Sequence, residues 1–188
     1  DELHLVRFYI NDEKTDKAQA QLDKIELQDL MPPLNDEYES LKFRAFVLEQ
    51  KFSDALRLLE GRDTLDTSIK RVMVYWHMND WMNASKILED IVEHPEKLEE
   101  NKTIKLEELL VMLATAYNLT EQSDKILSLK DKFQEKMKSS SLRDEFNLLT
   151  VPESKKHFAT VNDIRSTLAQ LDIYRQYMQN KANSLQKK

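Results

Sequence analysis

The sequence predicts an all-α fold made of stacked helix pairs, and its composition gives the first reason. The 188 residues include four prolines and a single glycine, Gly61. β-Hairpins, phosphate-binding loops and dinucleotide-binding folds need glycine where φ is positive or where the backbone makes a close approach. One glycine argues against all of these classes, and the abundance of leucine, lysine, glutamate, glutamine and alanine favours helices.

A short pattern recurs four times and gives the second reason, because self-similarity of this kind is typical of stacked repeat units. Residues 51–59 read KFSDALRLL and residues 80–88 read DWMNASKIL. Antiparallel helices pack closely where one carries a small side chain and the other fills the space beside it. Each copy has a small residue, a residue nine positions before it and a leucine four positions after it: Tyr9, Ala18 and Leu22; Phe46, Ala55 and Leu59; Tyr75, Ala84 and Leu88; Ala114, Ser123 and Leu127.

Apolar periodicity, capping residues and helix breakers predict the helices in chain order. Pro32 and Pro33 end the second helix, since proline disfavours helical geometry before it and lacks a backbone donor. Gly61 offers a left-handed end to the fourth helix. The first predicted helix ends near Asn11, and the others span residues 15–30, 35–49, 53–61, 67–78, 81–93, 103–118, 121–137 and 142–149.

The last segment has a different pattern from the repeats. Thr160 and Asp163 resemble a capping box, and a heptad-like seam follows them. We therefore predict that residues 1–152 form a helical-repeat array and that residues 153–188 form a long C-terminal helix of the same domain. This helix either caps the last apolar face of the array or makes homo-oligomers through residues 160–186, although Arg175 argues against a tight coiled coil. The seam consists of Ile164, Leu168, Leu171, Arg175, Met178, Ala182 and Leu185.

The second half of each unit resembles the tetratricopeptide repeat (TPR) family. That family has a tyrosine late in its first helix, an alanine nine residues on, an aromatic residue three before the alanine and a large apolar residue four after it. Two copies match this pattern, with phenylalanine in place of tyrosine in one of them: Tyr75, Trp81, Ala84 and Leu88, and Phe46, Phe52, Ala55 and Leu59. The resemblance covers roughly residues 3–137. It implies a right-handed α-solenoid whose concave groove holds a peptide or helix of another protein.

The resemblance also implies which side chains line the concave face. Trp76 would anchor an apolar side chain of the partner, with the cations of Arg44 and Lys70 beside it. The other interpretation is that Trp76 packs against the adjoining repeat. The predicted partner-binding residues are Arg44, Val47, Lys70, Met73, Trp76, His77 and Met112.

The polar residues do not form a pattern typical of a catalytic, cofactor or metal site. Cysteine is absent, which excludes thiolate ligands and cysteine nucleophiles. The acidic pairs stand in charged surroundings, where nothing would raise a carboxyl pKa for catalysis. The four histidines lack metal-ligand spacing: His4, His77, His94 and His157. We therefore expect no enzymatic activity, no cofactor and no metal.

Charge and hydropathy limit the classes of partner. The formal net charge is −6, but residues 153–188 hold seven Lys and Arg against three Asp and Glu, which gives +4 and leaves −10 for residues 1–152. The acidic body would repel phosphates and favour basic partners, so we expect no nucleic-acid binding. The sequence also lacks an apolar run of about 18 residues, so we expect no membrane insertion.

Together these features predict a non-enzymatic scaffold for protein–protein interaction that binds a peptide or helix of a partner in a concave groove. Because the chain starts at Asp1 without methionine, we expect it to belong to a larger protein. The alternative is a structural or oligomerisation domain of a larger assembly that uses its C-terminal helix. The identity of the partner and the cellular compartment do not follow from the sequence.

Overall fold

The computed structural model describes residues 2–26, 34–98 and 104–151, and these ranges consist of helices, turns and loops without a β-strand. The all-α prediction is confirmed for them. Their α-helices are α1 (Glu2–Asn11), α2 (Thr15–Leu22), α3 (Leu34–Leu48), α4 (Phe52–Arg57), α5 (Leu65–His77), α6 (Trp81–Glu93), α7 (Leu106–Leu119), α8 (Ser123–Met137) and α9 (Arg143–Leu149). A short 3-10 helix, Pro95–Leu98, follows α6. The predicted helix over residues 160–186 lies outside the described residues.

Two helices end earlier than the sequence predicts. α2 ends at Leu22 because the chain then tightens, with the Ile25 backbone N–H donating to the Leu22 carbonyl at 3.1 Å. The Ile25 side chain thereby turns back onto the core of the first three helices. α4 ends at Arg57, before Gly61. Gly61 itself has the expected left-handed backbone, with φ of +70°.

The chain forms two compact units, Asp1–Val74 and Tyr75–Lys188, with the boundary inside α5. In the first unit, α1, α2 and α3 pack against one another and α3 also contacts α4. Two apolar clusters fill this unit. The first contains Leu3, Val6, Ile10, Ala18, Leu22, Tyr38, Leu41 and Ala45. The second contains Phe43, Ala55, Leu59 and Val74. That residues 1–152 form one continuous array stays a prediction.

The second unit is organised around α7. This helix packs against α6, α8 and α9, and it is apolar on all sides, as expected for a helix with neighbours all around it. Its residues from Leu106 to Tyr117 are buried except for Glu107. α8 is amphipathic and buries only Ile126, Leu129 and Met137. The long apolar sequence of α7 therefore specifies the centre of this unit.

One backbone turn joins the two helices of four hairpins. The first helix ends in a left-handed residue with φ between +55° and +58°, at Glu13, Gln50, Asn79 and Glu121. The next backbone N–H donates to the carbonyl five residues earlier at 2.8–2.9 Å: Lys14 to Tyr9, Lys51 to Phe46, Asp80 to Tyr75 and Gln122 to Tyr117. This combination is the Schellman motif. The last residue of the motif is also the N-cap of the second helix. The turn therefore fixes the orientation of the second helix relative to the first.

The turns give a structural alignment that corrects the fourth copy of the sequence pattern. Counting from each turn, the position of Ala18, Ala55 and Ala84 is filled in the fourth hairpin by Ile126, which is buried. The sequence pattern placed Ser123 there, yet Ser123 is exposed and so is Leu127. The frame predicted for the fourth copy is therefore wrong by three residues. The match failed because this hairpin lacks a small residue at the crossing point, so a nearby serine took its place in the pattern.

The left-handed turns predict that glycine should stabilise the second unit. We expect Glu121→Gly to raise the free energy of unfolding by about 0.5–1 kcal/mol, because relief of left-handed strain outweighs the entropy that glycine loses on folding. Urea unfolding followed by tryptophan fluorescence measures this, since both tryptophans lie in this unit. Lys86→Gly, in the exposed middle of α6, is the control and should lower stability by about 1 kcal/mol. A loss of stability in both variants would contradict the turn.

The first unit allows a matched test of the small residue at the hairpin crossing. Ala18 and Ala20 lie in the same helix, and Ala18 is 0% exposed whereas Ala20 is exposed. We expect Ala18→Leu to lower stability by about 1–3 kcal/mol because the added atoms overfill a closed space. Ala20→Leu should change stability by no more than about 0.5 kcal/mol. Thermal unfolding followed by circular dichroism compares the two; equal effects would show that Ala18 does not lie at a packed crossing.

Candidate functional site

Arg44 is the predicted partner-binding residue whose surroundings differ most from those of an ordinary surface cation. It lies on α3 in the first unit, is half-buried, and its Nη2 donates to Asn11 Oδ1 at 3.0 Å. Beside it, the Arg7 guanidinium forms an ion pair with Glu37. Polar side chains of α1 and α3 therefore contact one another in two pairs, Asn11 with Arg44 and Arg7 with Glu37.

The charge of Arg44 is not matched by a carboxylate in the described part of the chain. Burial lowers the pKa of its guanidinium, and the positive charge of Arg7 lowers it further. Its hydrogen-bond acceptor is the neutral amide of Asn11, and the ion pairs among the described residues do not include Arg44. A guanidinium that is partly removed from water and faces a like charge is in an unfavourable environment. An anion placed beside it would be stabilised.

Lys70, the second predicted cation, has different neighbours. Its ammonium pairs with Asp66 at 2.7 Å and lies 5.8 Å from the centre of the Phe43 ring, and its side chain is only 20% exposed. It lines a small pocket of about 160 Å³ that is also bordered by Glu39 and Arg62. These contacts engage Lys70 within the first unit. These contacts differ from those of Arg44. That the two cations lie beside one partner-binding site stays a prediction.

The apolar residues predicted for the site are largely covered. Val47 packs against the Phe43 cluster, and Met73 is half-buried. In the second unit, Trp76 is 6% exposed and Met112 is 5% exposed, whereas His77 is exposed. The Trp76 ring meets the Trp81 ring edge-on, with 4.9 Å between centroids and 79° between planes. This burial favours the packing interpretation of Trp76, and its role in partner binding stays a prediction.

The alignment of the turns explains why Lys70 and Met112 are covered. Counted back from the turns, both occupy the position of Leu41, which lies in the core shared by α1, α2 and α3. This position belongs to the surface by which one hairpin packs on the previous one. Sequence reasoning took it for part of a ligand-binding face because helical periodicity by itself does not say which of two faces a neighbour covers.

A groove in the second unit was not predicted from the sequence. It has a volume of about 300 Å³ and lies between α6 and α8 over α7. Glu89 of α6 accepts hydrogen bonds from the Tyr117 hydroxyl and the Lys125 ammonium. At the rim, Lys132 lies 3.8 Å from Glu93. The groove is lined by Glu89, Val92, Glu93, Leu113, Tyr117, Lys125, Ser128, Leu129, Lys132 and Phe133.

The polar groups of this groove bond mainly to one another. Burial raises the pKa of Tyr117 above its usual 10.0, and the hydrogen bond to Glu89 and the charge of that carboxylate act in the same direction. The Lys125 ammonium also lies 5.4 Å from the centre of the Tyr117 ring. The network links α6, α7 and α8 through side-chain hydrogen bonds. No sequence pattern predicts this network, because its members come from three helices with unrelated spacings.

Two further findings concern chemistry and membranes. Within residues 2–26, 34–98 and 104–151, His, Asp and Glu side chains do not gather in groups of three that could hold a metal ion. In the same ranges, every helix is too short or too polar to cross a bilayer.

Comparison of the chain with models of known protein families, with curated proteins and with solved structures finds no match.

The Tyr117 network predicts a loss of stability at alkaline pH. Because the pKa of Tyr117 is raised in the folded state, above about pH 10 the unfolded chain releases this proton while the folded chain keeps it. The free energy of unfolding should then fall by up to about 1.4 kcal/mol per pH unit from this residue. Tyr117→Phe should lose about 1 kcal/mol at pH 7 and show a shallower fall between pH 9 and pH 11. Urea unfolding across that range measures both slopes; identical slopes would show that the phenol is not protected.

Proposed function

We propose that this chain is a non-enzymatic scaffold for protein–protein interaction, within a larger protein, that binds a peptide or helix of a partner. In this proposal the hairpins form a TPR-like right-handed solenoid, and the first helix of each hairpin contributes to a concave face. The four repeated turns support a common geometry within each hairpin, since each turn orients the second helix relative to the first in the same way. Pre-formed helices lose little conformational entropy on binding, which favours recognition of a flexible segment.

The observation that carries the proposal is the environment of Arg44. Its guanidinium is half-buried, has a neutral acceptor in Asn11, and is repelled by Arg7. A carboxylate from a partner would supply the missing negative charge, and a hydrogen bond to a charged group contributes about 1.5–3 kcal/mol. The planar fork of arginine suits a carboxylate, and the Asn11 amide already fixes its orientation. We infer that the partner segment carries Asp or Glu at this point.

The same helix offers an apolar contact beside Arg44. Leu48 lies four residues further along α3, on the same face, and is 43% exposed. Val47, next to it, is partly covered by the Phe43 cluster. The surface formed by Arg44, Val47 and Leu48 therefore suits a segment in which an acidic residue is followed or preceded by a large apolar one. Because Trp76 is buried, Leu48 replaces it as the expected anchor.

The net negative charge of the chain does not prevent this interaction. Charges separated by more than about 8–10 Å are screened at physiological ionic strength. Arg7 and Arg44 would act at contact distance, where burial also weakens screening. The long-range field would slow the approach of an acidic segment, whereas the local charge would decide where it binds.

A display experiment with random peptides tests the proposal. Wild-type chain should select peptides that combine Asp or Glu with a large apolar residue. Arg44→Met keeps the length of the side chain but removes its charge, and it should bind the selected peptides at least about tenfold more weakly, which corresponds to about 1.4 kcal/mol. Calorimetry with the selected peptides measures the affinities.

Arg57→Met is the matched control, because Arg57 is an exposed arginine of α4 in the same unit. It should change peptide affinity by less than about twofold, since an exposed ion pair contributes little. The proposal fails if the two variants bind equally well, or if the selected peptides contain no acidic residue.

A further inference from the structure

Two arginines occupy the same position in successive hairpins but have different partners. Counted back from the Schellman turns, Arg7 of α1 and Arg44 of α3 are equivalent residues. The Arg7 guanidinium forms an ion pair with the Glu37 carboxylate, whereas Arg44 Nη2 donates to the amide oxygen of Asn11 at 3.0 Å. A carboxylate therefore compensates the charge of one arginine, and an uncharged amide holds the other.

The four side chains form one connected group on α1 and α3. Asn11 follows Arg7 by one helical turn, so the two lie on the same side of α1. Burial lowers the pKa of the Arg44 guanidinium, and the positive charge of Arg7 lowers it further. The two cations are thus within electrostatic reach of each other, and an anion beside Arg44 would also interact with Arg7. How strongly it does so depends on the partner of Arg7.

Glu37 limits this group to one unmatched positive charge. Its carboxylate is 30% exposed and compensates Arg7, so the remaining positive charge is that of Arg44. A single carboxylate from a ligand would balance this charge. A phosphate group carries about −1.5 to −2 charges at pH 7, and its excess negative charge would be removed from water without a cation of its own. The group therefore suits a monoanion.

Asn11 leaves the positive charge of Arg44 available. The amide oxygen accepts a hydrogen bond and orients the guanidinium, but it supplies no negative charge. An aspartate has nearly the same shape as an asparagine, and at this position it would place a carboxylate within hydrogen-bond distance of Arg44. Such an internal ion pair would compete with a ligand for the same donor.

We propose that Glu37 and Asn11 determine the specificity of the Arg44 surface, which takes one carboxylate of an acidic partner segment and does not prefer a phosphorylated segment. This inference rests on the proposed function, because it concerns the same binding surface. Glu37 and Asn11 are positioning residues that act through Arg7 and Arg44. In the other two hairpins the equivalent residues are Met73 and Thr115, so the charge pattern is specific to α1 and α3.

Calorimetry with two versions of each peptide selected by the wild-type chain tests the role of Glu37. One version keeps the acidic residue, and the other carries phosphoserine in its place. The wild-type chain should bind the phosphoserine version no more than about twofold more tightly, since the extra charge has no cation to meet. Glu37→Gln frees Arg7 and should bind the phosphoserine version at least about fivefold more tightly than the acidic version.

Glu39→Gln is the matched control. Glu39 lies on the same helix, and its carboxylate forms an ion pair with a different arginine, Arg62. The substitution removes the same charge two residues away but does not free Arg7. It should therefore keep the wild-type ratio of the two affinities within about twofold. Circular dichroism of both variants checks that they fold.

Asn11→Asp tests the role of the amide with two measurements that should change in opposite directions. The new carboxylate should lower affinity for the acidic peptides at least about tenfold, because it occupies Arg44. It should also raise the thermal midpoint, measured by circular dichroism, more in the chain with Arg44 than in the Arg44→Met variant. A disturbance of the fold would instead lower affinity and thermal midpoint together.

The outcomes separate this inference from the proposed function. A wild-type chain that selects no acidic peptide overturns both. If acidic peptides bind, the inference alone is overturned by a wild-type preference for phosphoserine, by a Glu37→Gln variant without such a preference, or by a Glu39→Gln variant that gains it equally. An Asn11→Asp variant that binds like wild type, or whose thermal midpoint shifts equally with and without Arg44, also overturns it.

Discussion

The turn at the end of each first helix is the constraint on which the rest of this structure depends. A Schellman motif fixes two backbone hydrogen bonds and one left-handed residue, and its last residue starts the next helix. The four left-handed residues are Glu13, Gln50, Asn79 and Glu121, and glycine, which adopts this conformation without strain, is absent from all of them. Strain of about 1–2 kcal/mol at each is therefore offset by the packing that the turn makes possible.

The turns give the hairpins a common geometry, so residues at equivalent positions can be compared. Their burial and contacts differ according to which helix packs against them. Leu41 and Met112 are buried at one such position, and Lys70 reaches Asp66 and Phe43 from it. Phe8 stands at another position of this kind, yet it is exposed. The hairpins thus share a backbone geometry, while side chains at equivalent positions contact different neighbours. The proposed acidic segment at Arg44 follows from such a difference.

Electrostatics distinguishes the charged side chains that pair with one another in the fold from Arg44, which we propose binds a partner. Glu89 accepts hydrogen bonds from Tyr117 and Lys125, and this network joins three helices. Glu39 forms an ion pair with Arg62. Arg44 lacks such a carboxylate among the described residues, and Arg7 makes its surroundings less favourable still. A half-buried charge that lacks a carboxylate partner supports the proposed binding surface, because an anionic ligand beside it would offset part of its desolvation cost.

The sequence by itself determined the helical class, most helix positions, Gly61 as a left-handed stop and the buried alanines Ala18, Ala55 and Ala84, because these depend on backbone preference and apolar periodicity within a few residues of chain. It did not determine the frame of the fourth hairpin, where Ile126 replaces the expected small residue. It also did not determine which side of each first helix a neighbour covers, so the burial of Trp76 and Met112 and the low exposure of Lys70 were not predicted. Only the tertiary structure decided these points, since burial and charge matching depend on residues that are distant in the chain.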